Sequence, residues 1–130
     1  MDTRNPIRDL AQSYTASWCS QDPVRVAAHF AVDGTLRINE GHAATGREAI
    51  ASVAHGFMSA FPDLIVRMDD LLFEPNGIIY RWTLDGTTNG HRVLISGFEE
   101  WEISADGLIA KSLGHFDASD YRRQVGGGTA

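Results

Sequence analysis

The stretch VLISGFEEWEISADGLI, from Val93 to Ile109, decides the fold. Apolar and polar residues alternate along it, the turn signal ADG interrupts it, and alternation then resumes, which is typical of a β-hairpin. Two adjacent acids, Glu99 and Glu100, stand in the first arm. Because neighbouring side chains of a strand point to opposite faces, one acid faces inward and the other faces outward.

The alternation identifies Glu99 as the inward acid. It shares its face with Gly97 and Trp101, whereas the opposite face carries more charge. A carboxyl among aromatic rings loses hydration, which raises its pKa. A neutral acid can donate a hydrogen bond, and a half-titrated one can transfer protons. The alternatives for Glu99 are an ion pair with Arg81 or Arg92, or contact with solvent at the edge of the sheet.

Periodicity predicts the other elements around this hairpin. Apolar spacing indicates helices at 6–21, 23–31 and 47–61, and alternation indicates strands at 35–39, 64–74, 78–88, 92–104 and 108–117, followed by a short helical turn. The order α-α-β-α-β-β-β-β favours an α+β fold, in which three helices of the N-terminal half cover one face of a curved antiparallel sheet. A strongly bent sheet closed by helices forms a cone, and an incompletely filled cone is a pocket.

Composition limits the classes of function. The chain has 130 residues and suits one domain, 1–130, ordered over 5–124 with a flexible tail at 125–130. A net charge of −6 without a basic stripe argues against nucleic acid and anionic membranes as partners. The lone Cys19 and the absence of a long apolar run predict a cytoplasmic protein that is not inserted in a membrane. The scattered histidines indicate no metal site.

Three segments carry a resemblance to a known family: HFAVDGTLRI, GREAI with FMSAFPDL, and ISGFEEWEISADGLI with HFDASDYRRQVG. Together they resemble the nuclear transport factor 2-like superfamily, and within it the SnoaL-like polyketide cyclase group, over residues 8–126. The resemblance implies the cone-shaped fold, a homodimer through the outer face of the sheet, and a hydrophobic small molecule as ligand. Members include cyclases, isomerases, epoxide hydrolases and non-catalytic binding modules, so the fold alone does not define the function.

The related ketosteroid isomerases imply specific residues. Their oxyanion-binding tyrosine and protonated acid fall on Tyr14 and Glu99, whereas their catalytic base falls on Ile38. The acid that cyclases carry on the last strand falls on Gly114, and a second family aspartate falls on Asp117. The candidate ligand-binding side chains are Trp18, Ile38, Val53, Phe57, Trp82, Leu84, Trp101 and Phe116.

The first functional hypothesis is a cofactor-independent enzyme that performs proton transfer, isomerisation or cyclisation on a hydrophobic carbonyl compound. Tyr14 and neutral Glu99 would then hydrogen-bond the enolate oxygen, and the base would be Asp117, Glu40 or Glu99 itself. The second hypothesis is a non-catalytic binder of an apolar ligand in the same pocket. The third is an assembly module whose sheet-to-sheet dimer is its main function.

Overall fold

A computed structural model of the chain describes residues 4–126. The elements are α1 (Arg4–Cys19), α2 (Pro23–Ala27), β1 (Phe30–Ile38), β2 (Ala44–Thr45), α3 (Arg47–Ala60), β3 (Ile65–Glu74), β4 (Gly77–Thr88), β5 (His91–Ile103), β6 (Ile109–Phe116) and α4 (Ala118–Val125). The predicted α+β class, with three helices in the N-terminal half, is confirmed. Of the predicted tail, Val125 ends α4 and Gly126 caps it, while 127–130 lie outside the described residues.

The six strands form one curved, unclosed sheet in the order β2-β1-β6-β5-β4-β3. β3 to β6 form an antiparallel meander, as predicted, but β1 runs parallel to β6, so the sheet is mixed. Register shifts interrupt the pairing of β1, β3 and β5. Because an extra residue bends a strand and increases its twist, these irregularities favour curvature of the sheet.

The largest differences from the predicted elements concern α2, β1, β2 and α4. The second helix ends at Ala27, and β1 already begins at Phe30. A short apolar pair such as Phe30 and Ala31, which are both buried, is compatible with a strand as well as with a helix, so periodicity does not distinguish the two. β2 was not predicted, since two residues are too few to alternate. The turn after Asp117 extends into the eight-residue α4, whose N-terminus the Asp117 side chain caps by accepting a hydrogen bond from the Asp120 amide.

The helices pack on the concave face of the sheet and form the core with it. Tyr14 and Trp18 of α1 are buried, as are Tyr80 and Leu84 of β4, so the predicted inward faces are confirmed. Glu99 is 8% exposed, whereas its neighbour Glu100 faces solvent. Within residues 4–126, no helix has the length and apolarity needed to cross a bilayer.

Candidate functional site

The Glu99 carboxylate lies in the core at a point where three neutral hydrogen-bond donors converge. The Tyr14 hydroxyl lies 3.0 Å from Oε1 and 3.1 Å from Oε2. The Trp101 indole Nε1–H donates to Oε1 at 2.9 Å, and the Ser112 hydroxyl donates to Oε1 at 2.7 Å. All three bonds are buried, so the carboxylate is held in one orientation.

Strand geometry explains why these groups meet. Trp101 follows Glu99 by two residues on β5 and therefore shares its face. Ser112 lies directly opposite Trp101 in the antiparallel pair of β5 and β6, and Gly114 lies opposite Glu99. Tyr14 comes from α1, which packs over the same face, so the donor set joins one hairpin to a helix that is distant in sequence.

The two oxygens of Glu99 have different surroundings. Oε1 accepts from Trp101 and Ser112, whereas Oε2 contacts only Tyr14, whose single proton is shared between the two oxygens. The Trp101 indole can donate but cannot accept, so a proton bound by the carboxyl is placed on Oε2. Oε2 is therefore the oxygen that retains free acceptor capacity and can gain or lose a proton.

Burial controls the ionisation of this cluster. Desolvation raises the pKa of Glu99 above its ordinary value, and the hydrogen bonds from Trp101, Ser112 and Tyr14 offset part of that rise. Burial, and then the Glu99 charge, raise the pKa of Tyr14 well above the ordinary value, so Tyr14 stays a donor. The alternative for Glu99, an ion pair with Arg81 or Arg92, does not form, because Arg92 pairs with Asp85 at 2.9 Å and Arg81 is exposed on the other face.

Glu99 also forms part of the wall of a largely apolar cleft on the concave side of the sheet. The lining residues are Trp18, Leu36, Ile38, Phe57, Val66, Tyr80, Trp82, Leu84, Ile95, Glu99, Gly114, Phe116 and Tyr121. The empty space is about 600 Å³ when the open mouth is counted, and the cavity volume without it is about 50 Å³. The smaller figure is the one to compare with ligand pockets of roughly 300–1,000 Å³, so the cavity is narrow.

Most of the predicted ligand-binding side chains lie in this lining, and two do not. Trp18, Ile38, Phe57, Trp82, Leu84 and Phe116 line the cleft. Val53 is half-buried and packs against the core from α3. Trp101 is buried behind the wall, where its ring stacks on Tyr80 with centroids 4.7 Å apart. Tyr14 likewise lies behind Glu99 and is absent from the lining.

The other two candidate bases lie away from the cleft. Asp117 is exposed and caps α4. The Glu40 side chain is 99% exposed and contacts Arg37 at 3.4 Å. Within the described part of the chain, Glu99 is the only Asp, Glu, His, Lys or Arg residue in the lining.

Two members of the site were not predicted from the sequence. Ser112 is completely buried beside Glu99, and its signal was available, because it alternates with Gly114 on the inner face of β6. Tyr121 lines the cleft from α4, where its ring contacts Phe61 and Phe116. No sequence pattern pointed to Tyr121, since its position depends on how α4 folds back over the sheet.

Two donors in the cleft wall have no internal partner. The Trp82 indole Nε1 is buried and finds no acceptor, and the Tyr121 hydroxyl forms no hydrogen bond among residues 4–126. Over the same residues, no three His, Cys, Asp or Glu side chains come together as a metal-binding group. The wall thus offers one proton acceptor and two unpartnered donors on an aromatic surface.

Comparisons with known proteins address the fold and the family. The model of the SnoaL-like domain family matches residues 11–112, and no curated protein matches this sequence. Among solved structures, TsrD from Streptomyces laurentii is 21% identical with a TM-score of 0.83, covering 97% of this chain and 98% of that one. A candidate SnoaL-like polyketide cyclase from Jannaschia sp. CCS1 is 12% identical with a TM-score of 0.82, covering 95% and 93%.

A third similar structure, from Catenulispora acidiphila, has a ketosteroid isomerase-like fold and was solved in complex with trimethylamine. It is 17% identical with a TM-score of 0.81, covering 91% of this chain and 92% of that one. At such identities the likeness establishes the fold alone. The architecture that the resemblance implied is therefore confirmed.

Proposed function

This chain belongs to the SnoaL-like domain family, as the resemblance implied, and on that premise we propose that it is a cofactor-independent proton-transfer enzyme. Its substrate is a hydrophobic, carbonyl-bearing small molecule, and the reaction is an isomerisation or cyclisation that passes through an enolate. The observation that carries the proposal is the place of Glu99: it is the one carboxyl in the wall of an apolar cleft within residues 4–126, and its Oε2 contacts only Tyr14 while Oε1 accepts from Trp101 and Ser112.

Glu99 Oε2 is the base in this proposal. A carboxylate with a raised pKa is a stronger base than an ordinary one, and a pKa nearer the working pH favours general base catalysis. Oε2 removes a proton from the carbon next to the substrate carbonyl, and the resulting neutral acid returns that proton to another carbon of the product. Neither Asp117 nor Glu40 is needed for this cycle.

The developing negative charge on the carbonyl oxygen needs hydrogen-bond donors. The Trp82 indole N–H and the Tyr121 hydroxyl belong to the cleft wall and have no partner within residues 4–126, so we assign them this task. Tyr14 was expected to do so, but it lies behind Glu99. In the proposal, Tyr14, Trp101 and Ser112 are positioning residues that orient the carboxylate and set its pKa.

Hydrogen–deuterium exchange tests this function without knowledge of the natural substrate. The probe is 2-tetralone, an aromatic ketone whose α-protons exchange with D₂O by the same first step, followed by NMR. We expect the protein to accelerate exchange and Glu99→Gln to lower the rate about 10²–10⁴-fold, the usual contribution of a general base. Glu100→Gln is the matched control, because it removes the same charge from the solvent-facing neighbour. Equal rates for the protein and Glu99→Gln would contradict the proposal.

The second candidate function is a non-catalytic binder that uses the same cleft. Two observations favour it: Ile38 and Gly114 occupy the positions where related enzymes are expected to carry acids, and the cavity is small. The trimethylamine complex of the Catenulispora acidiphila structure also supports a small ligand. If the protein is a non-catalytic binder, it should bind a ligand saturably and should exchange the α-protons of 2-tetralone no faster than Glu99→Gln does.

We also propose a cytoplasmic homodimer that forms through the outer face of the sheet. Exposed Ile65 and Leu94 support this surface, because both lie beside Asp85 in the strand register and therefore share the outer face. Size-exclusion chromatography with light scattering should give the mass of a dimer for the protein. The Leu94→Glu variant should have the mass of a monomer. A monomer at all concentrations would contradict this surface.

A further inference from the structure

The buried carboxylate of Glu99 lacks a cationic partner. Its three donors are neutral groups, and none of the ion pairs within residues 4–126 includes it. Glutamate is rarely buried unless it is paired, because an isolated charge is costly to desolvate. The ionised carboxyl is therefore stabilised further when a cation enters from outside.

The walls around this carboxyl are suited to an organic cation. Six aromatic residues line the cleft, namely Trp18, Phe57, Tyr80, Trp82, Phe116 and Tyr121, and no Lys, Arg or His of the described chain does. Several meet edge to face, including Trp18 with Phe57 and Trp82 with Phe116. Aromatic faces attract cations, and cages of such rings recognise alkylated ammonium groups. The net charge of −6 adds a general attraction for cations.

We infer that the cleft binds a small alkylated ammonium cation, with its charge on the aromatic faces and beside Glu99 Oε2. This inference rests on the second candidate function, ligand binding in the cleft, and it specifies the class of ligand. An alkylated ammonium matches both parts of the site, because its methyl groups fill apolar space while its charge compensates the carboxylate. A hydrated metal ion or a bare ammonium would lose too much hydration in this lining.

The inference predicts the sign of the pH dependence. The titratable groups that face Glu99 are Tyr14 from α1 and Tyr80 from β4, while β6 contributes Ser112 and Gly114, which carry no charge. Both tyrosines have a pKa raised above the ordinary value, so of these three groups only Glu99 changes its charge below the ordinary range of a tyrosine. A cation must displace the carboxyl proton below the pKa of Glu99, so its affinity rises with pH. A ligand that accepts a hydrogen bond from the protonated acid gives the opposite slope.

The experiment compares two probes of nearly the same shape, choline and the uncharged 3,3-dimethylbutan-1-ol, by calorimetry and tryptophan fluorescence. We expect choline to bind at least about tenfold more tightly, as a desolvated cation–π and ion-pair contact implies, and its affinity to rise with pH. Glu99→Gln should lower the affinity for choline at least about tenfold and leave the affinity for the alcohol unchanged. Glu100→Gln should change neither affinity.

Phe116→Leu is a second variant, which removes an aromatic ring from the cleft wall but keeps an apolar side chain there. It should lower the affinity for choline more than the affinity for the alcohol. It decides the question if Glu99→Gln does not fold. Equal affinities for the two probes, an affinity for choline that falls with rising pH, or no saturable binding of choline would overturn the inference. The ketone exchange assay has its own outcome, so failure of the cation site and failure of the enzymatic proposal are distinguishable.

Discussion

Ser112 and Glu99 form a buried contact in which the Ser112 hydroxyl donates to Glu99 Oε1 at 2.7 Å. The two residues lie on neighbouring strands. The Ser112 hydrogen bond is the shortest of those that the carboxylate accepts. The contact shows how the sheet register fixes the orientation of the carboxyl, because Ser112 and Trp101 hold Oε1 from two neighbouring strands.

Ser112→Ala should raise the pKa of Glu99 further, because the Ser112 hydrogen bond favours the ionised form. We also expect a loss of about 1–3 kcal/mol in the free energy of unfolding at a pH where Glu99 is ionised, as is usual for a bond to a charged group. A pH titration of tryptophan fluorescence measures the first effect, since Trp101 contacts the same carboxylate. Ser17→Ala is the control, because the buried Ser17 hydroxyl donates within α1, to the Ser13 carbonyl. An equal shift in both variants would contradict the assignment.

Tyr14→Phe separates a positioning role from direct contact with the substrate. Because Tyr14 lies behind Glu99, its loss should move the pH profile of ketone exchange to higher pH and change the maximal rate by less than about tenfold. A direct donor to the enolate would instead cost about 10²–10³ in rate without moving the profile. The pH profile of the exchange rate therefore discriminates between the two roles.

Glu99→Gln should remove a pH-dependent part of the stability. The pKa of Glu99 is higher in the folded chain than its ordinary value of 4.5, so its contribution is fully present below that value and is lost as the pH rises through the folded-state pKa. Urea unfolding of the protein and of the variant gives the difference between their free energies of unfolding. As the pH rises across this window, that difference should fall by about 1.4 kcal/mol for each unit by which the folded-state pKa of Glu99 exceeds its unfolded value. A flat or rising difference would mean that burial does not raise the pKa.

Two glycines of the same sheet should respond differently to alanine. At Gly114 an added Cβ would lie 3.8 Å from Glu99 Cγ, an ordinary contact, so Gly114→Ala should preserve stability and reduce the room in the cleft. At Gly97 an added Cβ would lie 2.3 Å from the His115 carbonyl oxygen and 2.7 Å from Trp82 Cζ2. Gly97→Ala should therefore cost about 1–3 kcal/mol or more, as overpacking does. Urea unfolding checks both, and equal stabilities would contradict the close approach of Trp82 to Gly97.

The sequence by itself determined the strand faces, and with them the inward direction of Glu99. Alternation along β4 and β5 is a local property, because successive side chains of a strand must point to opposite faces whatever the rest of the chain does. The apolar spacing that predicts α3 follows from an equally local rule. The resemblance then supplied the family and the arrangement of these elements as a cone.

Only the tertiary structure decided what Glu99 contacts and which group can act as a base. Tyr14, Trp101 and Ser112 reach one oxygen because α1 crosses the sheet and β6 pairs with β5 in a particular register, and neither fact follows from local periodicity. The same assembly removed Tyr14 and Trp101 from the cleft wall and left Asp117 and Glu40 outside it, and it brought Tyr121 in from α4. Distances between residues far apart in sequence are fixed by packing of the whole domain, so the chemistry of the candidate site could not be derived before that packing was known.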